Sequence, residues 1–227
     1  MRRLIQAIRP LRPQAVDGFI TEELREDGQR MGFWLSLLDG RQVLLAHRKF
    51  QSHTRVGPYR VNLSVLNETA VPVIRRGMRR ALVLFLDELG AMELSSAAFE
   101  AAIREAFAQA TSIIATASAA PFPLITNLKA RKDVELIPLS SANRAAVEEE
   151  LTARLQAFFA EDEAIRSLER QADRICEMIT SGDVPPVDIE IQQTALRERI
   201  AKQFPDKQVL YHLIYESRFR RLWQQLQ

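Results

Sequence analysis

The sequence predicts an α/β layered domain over residues 18–140, built on a mostly parallel sheet with an antiparallel meander near its start and followed by a helical extension. Three observations predict it. Residues Ala81–Leu86 form a continuous apolar run that ends at Asp87, and a run without alternation suits a strand covered on both faces. Strand-like and helix-like segments alternate between residues 18 and 140, the pattern of a three-layer α/β arrangement. Beyond Ser141 the strand-like runs stop and helical periodicity takes over.

Residues 1–9 read as the end of an amphipathic helix, with Leu4, Ile5 and Ile8 on one side and arginines opposite, and Pro10 and Pro13 stop it. Three strand-like runs follow, Gly18–Leu24, Arg30–Leu38 and Gln42–Ala46. They are separated by Asp27-Gly28 and Asp39-Gly40, and Asp-Gly is a strong hairpin signal. A loop with Gly57 and Pro58 leads to a helix over 64–79, where Val65, Leu66, Val73 and Ile74 keep helical spacing. After the strand at 81–86, Ser95 or Ser96 can cap a helix reaching about Gln109. Residues 112–116 and 134–139 are read as two further strands, the first of them buried. Residues 143–160, 161–180, 187–204 and 207–226 are read as helices, with breaks at Gly182, Pro185-Pro186 and Pro205.

The chain has 227 residues, 47% hydrophobic and 26% charged, which excludes collagenous, disordered and disulfide-scaffold classes. Cys176 is the single cysteine, so no intrachain disulfide forms and a reducing cytoplasm is the natural setting. No apolar stretch approaches the ~20 residues of a membrane-spanning helix, and the early Arg9-Pro10 argues against a secretory signal. Residues 1–60 carry 11 basic and 6 acidic side chains, while residues 143–227 carry 12 and 15. The basic start leaves nucleic-acid binding as the weakest of the functional classes, since a solvated helix end accounts for it. His47, His53 and His212 are too scattered for a metal cluster.

The chemistry concentrates at Leu82–Glu88, where apolar residues are followed by two acids. In parallel sheets ligands bind beyond the carboxyl ends of strands, where these carboxylates emerge. A hydrated strand end is the plain reading of the pair. In P-loop nucleotide hydrolases such a strand carries the Asp that organises Mg²⁺, and an adjacent Glu can orient or deprotonate the attacking water.

Five separated segments favour the second reading. They are Gly18-Phe-Ile-Thr-Glu-Glu-Leu-Arg25 with Arg30-Met-Gly-Phe33, Val56-Gly-Pro-Tyr-Arg-Val61, Leu86-Asp-Glu-Leu-Gly-Ala-Met-Glu-Leu-Ser95, Ile113-Ile-Ala-Thr116 and Leu128-Lys-Ala-Arg131. In order and spacing they resemble the nucleoside-triphosphatase family that includes the cancer-related enzyme and its thermophile relatives. The resemblance covers about residues 1–157. It implies a P-loop NTPase-like domain with a Walker B-type strand, and hydrolysis of a nucleoside triphosphate such as ATP or GTP to diphosphate and phosphate. By the same resemblance Asp87 organises Mg²⁺, Glu88 activates water, and Lys129 and Arg131 lie near the phosphates. Tyr59 shapes the nucleotide pocket on that reading and simply packs on the plainer one. Solvated loop charges are the alternative for Lys129 and Arg131. Glu22, Glu23 and Arg25 face the nucleotide or pair across the meander.

The departure from the family concerns its phosphate-binding loop, G-x-x-x-x-G-K-[ST]. The eight glycines fall at 18, 28, 32, 40, 57, 77, 90 and 182, and none is followed by Lys. Residues 2–10 look like the second half of the helix that follows that loop. The expectation is therefore an N-terminally truncated NTPase-like domain over 1–157, with impaired nucleotide binding, and a helical extension over 158–227. A non-catalytic interaction protein derived from the same fold is the alternative. The apolar and aromatic residues of 207–227 either pack back on the chain or form a surface for a homo-oligomer or a protein partner.

Overall fold

The computed structural model describes residues 1–109 and 112–225, the side chain of Leu210 excepted. The chain divides into two compact units, Met1–Ala153 and Arg154–Gln227.

The first unit starts with α1 (Arg2–Ile8), whose Leu4, Ile5 and Ile8 are buried. Strands β1 (Val16–Glu26), β2 (Gln29–Leu37) and β3 (Gln42–His47) form the expected meander. Asp27 and Gly28, both at positive φ, make the turn between β1 and β2, and Gly40 at φ +97° lies in the next turn. The segment read as a loop around Gly57 is a small hairpin, β4 (Arg55–Val56) and β5 (Tyr59–Val61). Its second strand pairs with β3.

The helix expected over 64–79 runs as α2 (Leu63–Val65), a π-helical turn over Leu66–Ala70 and α3 (Val71–Arg80). Then come β6 (Val83–Leu89), α4 (Ala97–Phe107), β7 (Ser112–Ala117) and α5 (Pro123–Lys129). Ser96 caps α4, its hydroxyl accepting the Phe99 amide at 3.1 Å.

The strands form one sheet in the order β4-β5-β3-β2-β1-β6-β7. It is mixed: β1, β6 and β7 are parallel, while the other pairings are antiparallel. The parallel part is narrower than the sequence implies. Val83, Leu84, Phe85 and Leu86 are fully buried, as a strand covered on both faces requires. Gly18 pairs with Phe85 and sits at φ +126°. A Cβ there would lie 1.9 Å from the Phe85 carbonyl oxygen, so only glycine lets β1 run this close to β6.

Two strand expectations are corrected. Residues 112–116 form β7, but they are half-buried or exposed rather than buried, because only β6 pairs with β7 among the described residues. Residues 134–139 form no strand, and Leu136 and Leu139 are more than half exposed. An extended apolar run becomes a strand only where a neighbour takes its backbone groups, and no described strand lies beside it.

The helices expected at 143–160 and 161–180 are one, α6 (Arg144–Ser181). No glycine or proline falls between 144 and 181, so nothing in the backbone chemistry ends a helix there. After Gly182 at φ +70° come α7 (Pro186–Gln203), α8 (Gln208–Leu210), a π-helical segment Tyr211–Glu216 and α9 (Ser217–Gln225). The expected end at residue 226 lies outside the described residues. The second unit has its own core, in which Leu168, Ala172, Ile175 and Ile179 of α6 meet Ile189, Leu196 and Ile200 of α7, with Tyr211 and Phe219. The tail thus packs inward within this unit.

Candidate active site

The site is built where β6 ends. Its apolar residues hold the strand in the core, and the chain then emerges with Asp87 half-buried and Glu88 exposed. Each flanking strand supplies a threonine. The Thr116 hydroxyl, on β7, donates to Asp87 Oδ1. The Thr21 hydroxyl, on β1, donates to the Asp87 carbonyl at 2.8 Å. Two residues further, the Ser118 amide donates to the Leu89 carbonyl at 3.0 Å. The end of β6 is therefore tied on both sides, and the Asp87 carboxylate is held by the Thr116 hydroxyl.

The turn after β6 is closed by Glu93, whose Oε2 accepts the Gly90 amide at 3.2 Å. Glu93 is 3% exposed. Burial, reinforced by Glu88 and Asp87 nearby, pushes its carboxyl up to about 7.

Of the other residues singled out by sequence, Lys129 comes nearest. Its ammonium donates to the Ser118 carbonyl at 3.3 Å, which places it one residue contact from the end of β6. Arg131 is engaged with Asp133 through two hydrogen bonds of 2.9 and 2.6 Å. Tyr59 is buried on β5, edge-on to Phe33 with ring centroids 5.0 Å apart. Strands β3, β2 and β1 separate it from β6, and the structure does not bring it to the carboxylates. Glu22, Glu23 and Arg25 serve the meander. Glu22 takes the Ser36 hydroxyl and pairs with Arg2, and Glu23 pairs with Arg25 and Arg30.

Sequence reasoning assigned no role to Thr21, Thr116, Ser118 and Glu93, although three of them lie inside the quoted segments. The usable signal was a threonine in each strand adjacent to β6, Thr116 near the end of β7 and Thr21 just beyond the stretch of β1 that pairs with β6. It also missed Asp17, which is buried at the start of β1 and accepts two hydrogen bonds from Arg76 of α3 at 2.7 and 2.8 Å.

Among the described residues no group of three or more His, Cys, Asp or Glu side chains could hold a metal ion. What the strand end offers is the Asp87 carboxylate with the Thr116 hydroxyl on it, and the exposed Glu88 carboxylate next in sequence. Such oxygen donors suit a hard cation that keeps its remaining positions for water and phosphate oxygens.

Three comparisons relate the chain to known proteins. A family profile described as NTPase matches residues 3–152. The nucleoside-triphosphatase THEP1 of Thermotoga sp. (strain RQ2) is 36% identical over 143 residues, covering 63% of this chain and 82% of that protein. The cancer-related nucleoside-triphosphatase homolog of Mus musculus is 31% identical over 155 residues, with the same coverage of both chains. Among solved structures, the crystal structure of THEP1 from the hyperthermophile Aquifex aeolicus superposes with a TM-score of 0.61 at 29% identity. The match covers 67% of this chain and 91% of that one. The solution structure of a human cancer-related nucleoside triphosphatase gives 0.57, also at 29% identity, over 68% and 90%.

Proposed function

Because this chain belongs to the NTPase family, we propose that the end of β6 is the hydrolytic part of a nucleoside-triphosphate site. The reaction is cleavage of a triphosphate such as ATP or GTP to the diphosphate and phosphate. One observation carries the reading: Asp87 and Glu88 stand at the carboxyl end of a buried parallel strand, with Asp87 held by Thr116.

The roles follow from exposure and support. Exposed Glu88 accepts a proton from the attacking water as the water oxygen bonds to the γ-phosphorus. The bond from that phosphorus to the β–γ bridging oxygen breaks, and the diphosphate leaves. Asp87, fixed by its hydroxyl donor, is the residue that would hold Mg²⁺; the ion would supply positive charge against the phosphate oxygens. Lys129, whose ammonium donates to the Ser118 carbonyl, is a cation available beside this strand end. Arg131 would have to leave Asp133 to assist. The single buried cysteine, Cys176, and the lack among the described residues of a helix fit to cross a membrane support a cytoplasmic setting.

Residues 1–227 contain no Gly-Lys step, so the backbone cradle and lysine charge that bind phosphates in P-loop proteins are not among them. The test compares two polypeptides: residues 1–227 alone, and the same residues preceded by a strand and a G-x-x-x-x-G-K-[ST] loop. The second should release phosphate from Mg·ATP or Mg·GTP, and Glu88→Gln should abolish release while binding persists. Micromolar affinity of residues 1–227 alone for Mg·ATP would show that the loop is dispensable. Turnover by the Glu88→Gln form equal to the parent would remove Glu88 from the reaction.

A non-catalytic role in self-association is supported by a separate observation. Val209, Leu213 and Ile214 are more than half exposed, as are Val187 and Ile191 of α7. The first row continues into exposed Arg220 and Arg221, and the second is flanked by exposed Glu190 and Glu198. A second copy of the chain can match the two rows reciprocally, apolar on apolar and acid on base. Light scattering tests it: a dimer that Leu213→Ser and Ile191→Ser dissociate supports the reading, and a parent that stays monomeric at high concentration refutes it.

A further inference from the structure

Glu93 lies within the short 3-10 turn Glu93–Ser95 that follows β6, and its burial is a cost the turn does not need to carry. A serine or asparagine closes an amide with no charge to desolvate. Three contacts show what Glu93 reaches. Its Oε2 takes the Gly90 amide at 3.2 Å, and the Gly90 carbonyl takes the Leu94 amide at 3.0 Å. A Cβ on Gly90 would stand 3.3 Å from Glu93 Oε2 and 3.4 Å from Glu88 Oε1. The two carboxylates therefore flank the same glycine, one from the core and one from the surface. On the other side of the turn, Leu89 is tied through its carbonyl to the Ser118 amide.

We infer that Glu93 is a positioning residue for Glu88: its carboxyl fixes the turn Leu89–Glu93, and that turn sets the direction in which the Glu88 carboxylate leaves β6. The inference rests on the reading of Glu88 as the group that activates water. Glu88 is exposed and, among the described residues, no hydrogen bond holds its side chain, so its aim depends on the backbone on either side of it. Asp87 is secured by Thr21 and Thr116 on the strand side. Glu93 secures the other. The reach of a glutamate back over three residues is that of the reciprocal half of a capping box. An ordinary cap would matter only to the turn it closes. A positioning residue also matters beyond the turn, to Ser118 of the neighbouring segment, whose amide is held by the carbonyl of Leu89, the residue next to Glu88.

Amide hydrogen exchange in the full chain separates these roles. Glu93→Asp, one methylene too short to reach the Gly90 amide, should speed exchange at both Gly90 and Ser118 by about tenfold, the cost of losing one hydrogen bond. Leu84 and Phe85 should keep their protection. Glu93→Gln keeps an oxygen of the same reach and should return Ser118 to the parent rate. In the form carrying a phosphate-binding loop, Glu93→Asp should lower kcat by about tenfold with KM unchanged, and Glu93→Gln should recover it. An unchanged Ser118 rate in Glu93→Asp overturns the inference, as does a Glu93→Gln chain that protects Leu84 but does not restore Ser118. A parent without turnover defeats the hydrolytic reading alone, and Ser118 exchange then decides the role of Glu93 by itself.

Discussion

Thr116 on β7 donates its hydroxyl to the Asp87 carboxylate across the parallel pair β6–β7. The contact joins the two strands at the point where the sheet presents its acids, and it places the orientation of Asp87 under the control of a neighbouring strand.

Thr116→Val keeps the β-branched shape and removes the donor. A hydrogen bond to a charged group contributes roughly 1.5–3 kcal/mol, and here the loss falls on the aim of Asp87, since that carboxylate is only half-buried. Turnover of the loop-bearing form should drop by about tenfold or more while the melting temperature changes little. Thr116→Ser restores the hydroxyl and should recover most of the rate. Phosphate-release assays on the pair check this, and equal rates for valine and threonine would remove the contact from the mechanism.

Glu93 makes stability depend on pH with a definite sign. Burial lifts its carboxyl from an ordinary 4.5 to about 7, so between those values the folded chain holds a proton that the unfolded chain has released. The stabilisation this gives is fully present below pH 4.5 and is lost as pH rises through about 7. The shift corresponds to about 3 kcal/mol. Glu93→Gln should flatten this part of the profile and make the chain more stable than the parent above pH 7. Urea midpoints measured across the window check it; parallel profiles for parent and variant would show that Glu93 keeps its charge throughout.

The arginine of the Asp17–Arg76 pair is needed because Asp17 is buried. Removing Arg76 leaves a buried carboxylate whose remaining hydrogen bond among the described residues is from the Gly18 amide at 2.8 Å. Arg76→Met keeps the stem that packs along α3 and should cost roughly 2–3 kcal/mol. Exchanging both residues for apolar ones should recover part of that loss. Denaturant titration of the two single variants and the double checks it, and an additive double variant would show that the pair is not coupled.

Legibility followed how local each signal was. The meander was readable because Asp27-Gly28 and Asp39-Gly40 each decide a turn within two residues, and β6 because its apolar run needs no partner to be recognised. Val134–Leu139 is also rich in Val, Leu and Ile but carries Glu135 and Pro138; it is no strand, since strand formation depends on a neighbour that composition does not reveal. The continuous α6 is legible in principle from the lack of any Gly or Pro between 144 and 181, and the division at residue 160 rests on no helix breaker. At the site, Asp87 and Glu88 stood out as acids ending an apolar run. Thr21, Thr116 and Ser118 did not, because their roles exist only once β1 and β7 lie on either side of β6.

The two tryptophans report on separate units, which makes the tail testable. Trp34 lies on β2 in the first unit, and Trp223 lies on α9, partly buried against the core of the second. Phe219, 2% exposed, belongs to that second core together with Tyr211. Truncating a buried phenylalanine to alanine costs roughly 3–5 kcal/mol, and a helical unit this small has little stability to spare. Phe219→Ala should therefore lower the unfolding midpoint seen by Trp223. In a Trp223→Phe background, the transition seen by Trp34 should stay where the parent has it. Deleting residues 207–227 should act in the same sense and more severely, exposing Ile179, Leu196 and Ile200 and causing aggregation. If Phe219→Ala shifts the Trp34 transition as far as the Trp223 transition, the two units unfold as one. If it shifts neither, the tail contributes nothing to the core in which it is buried.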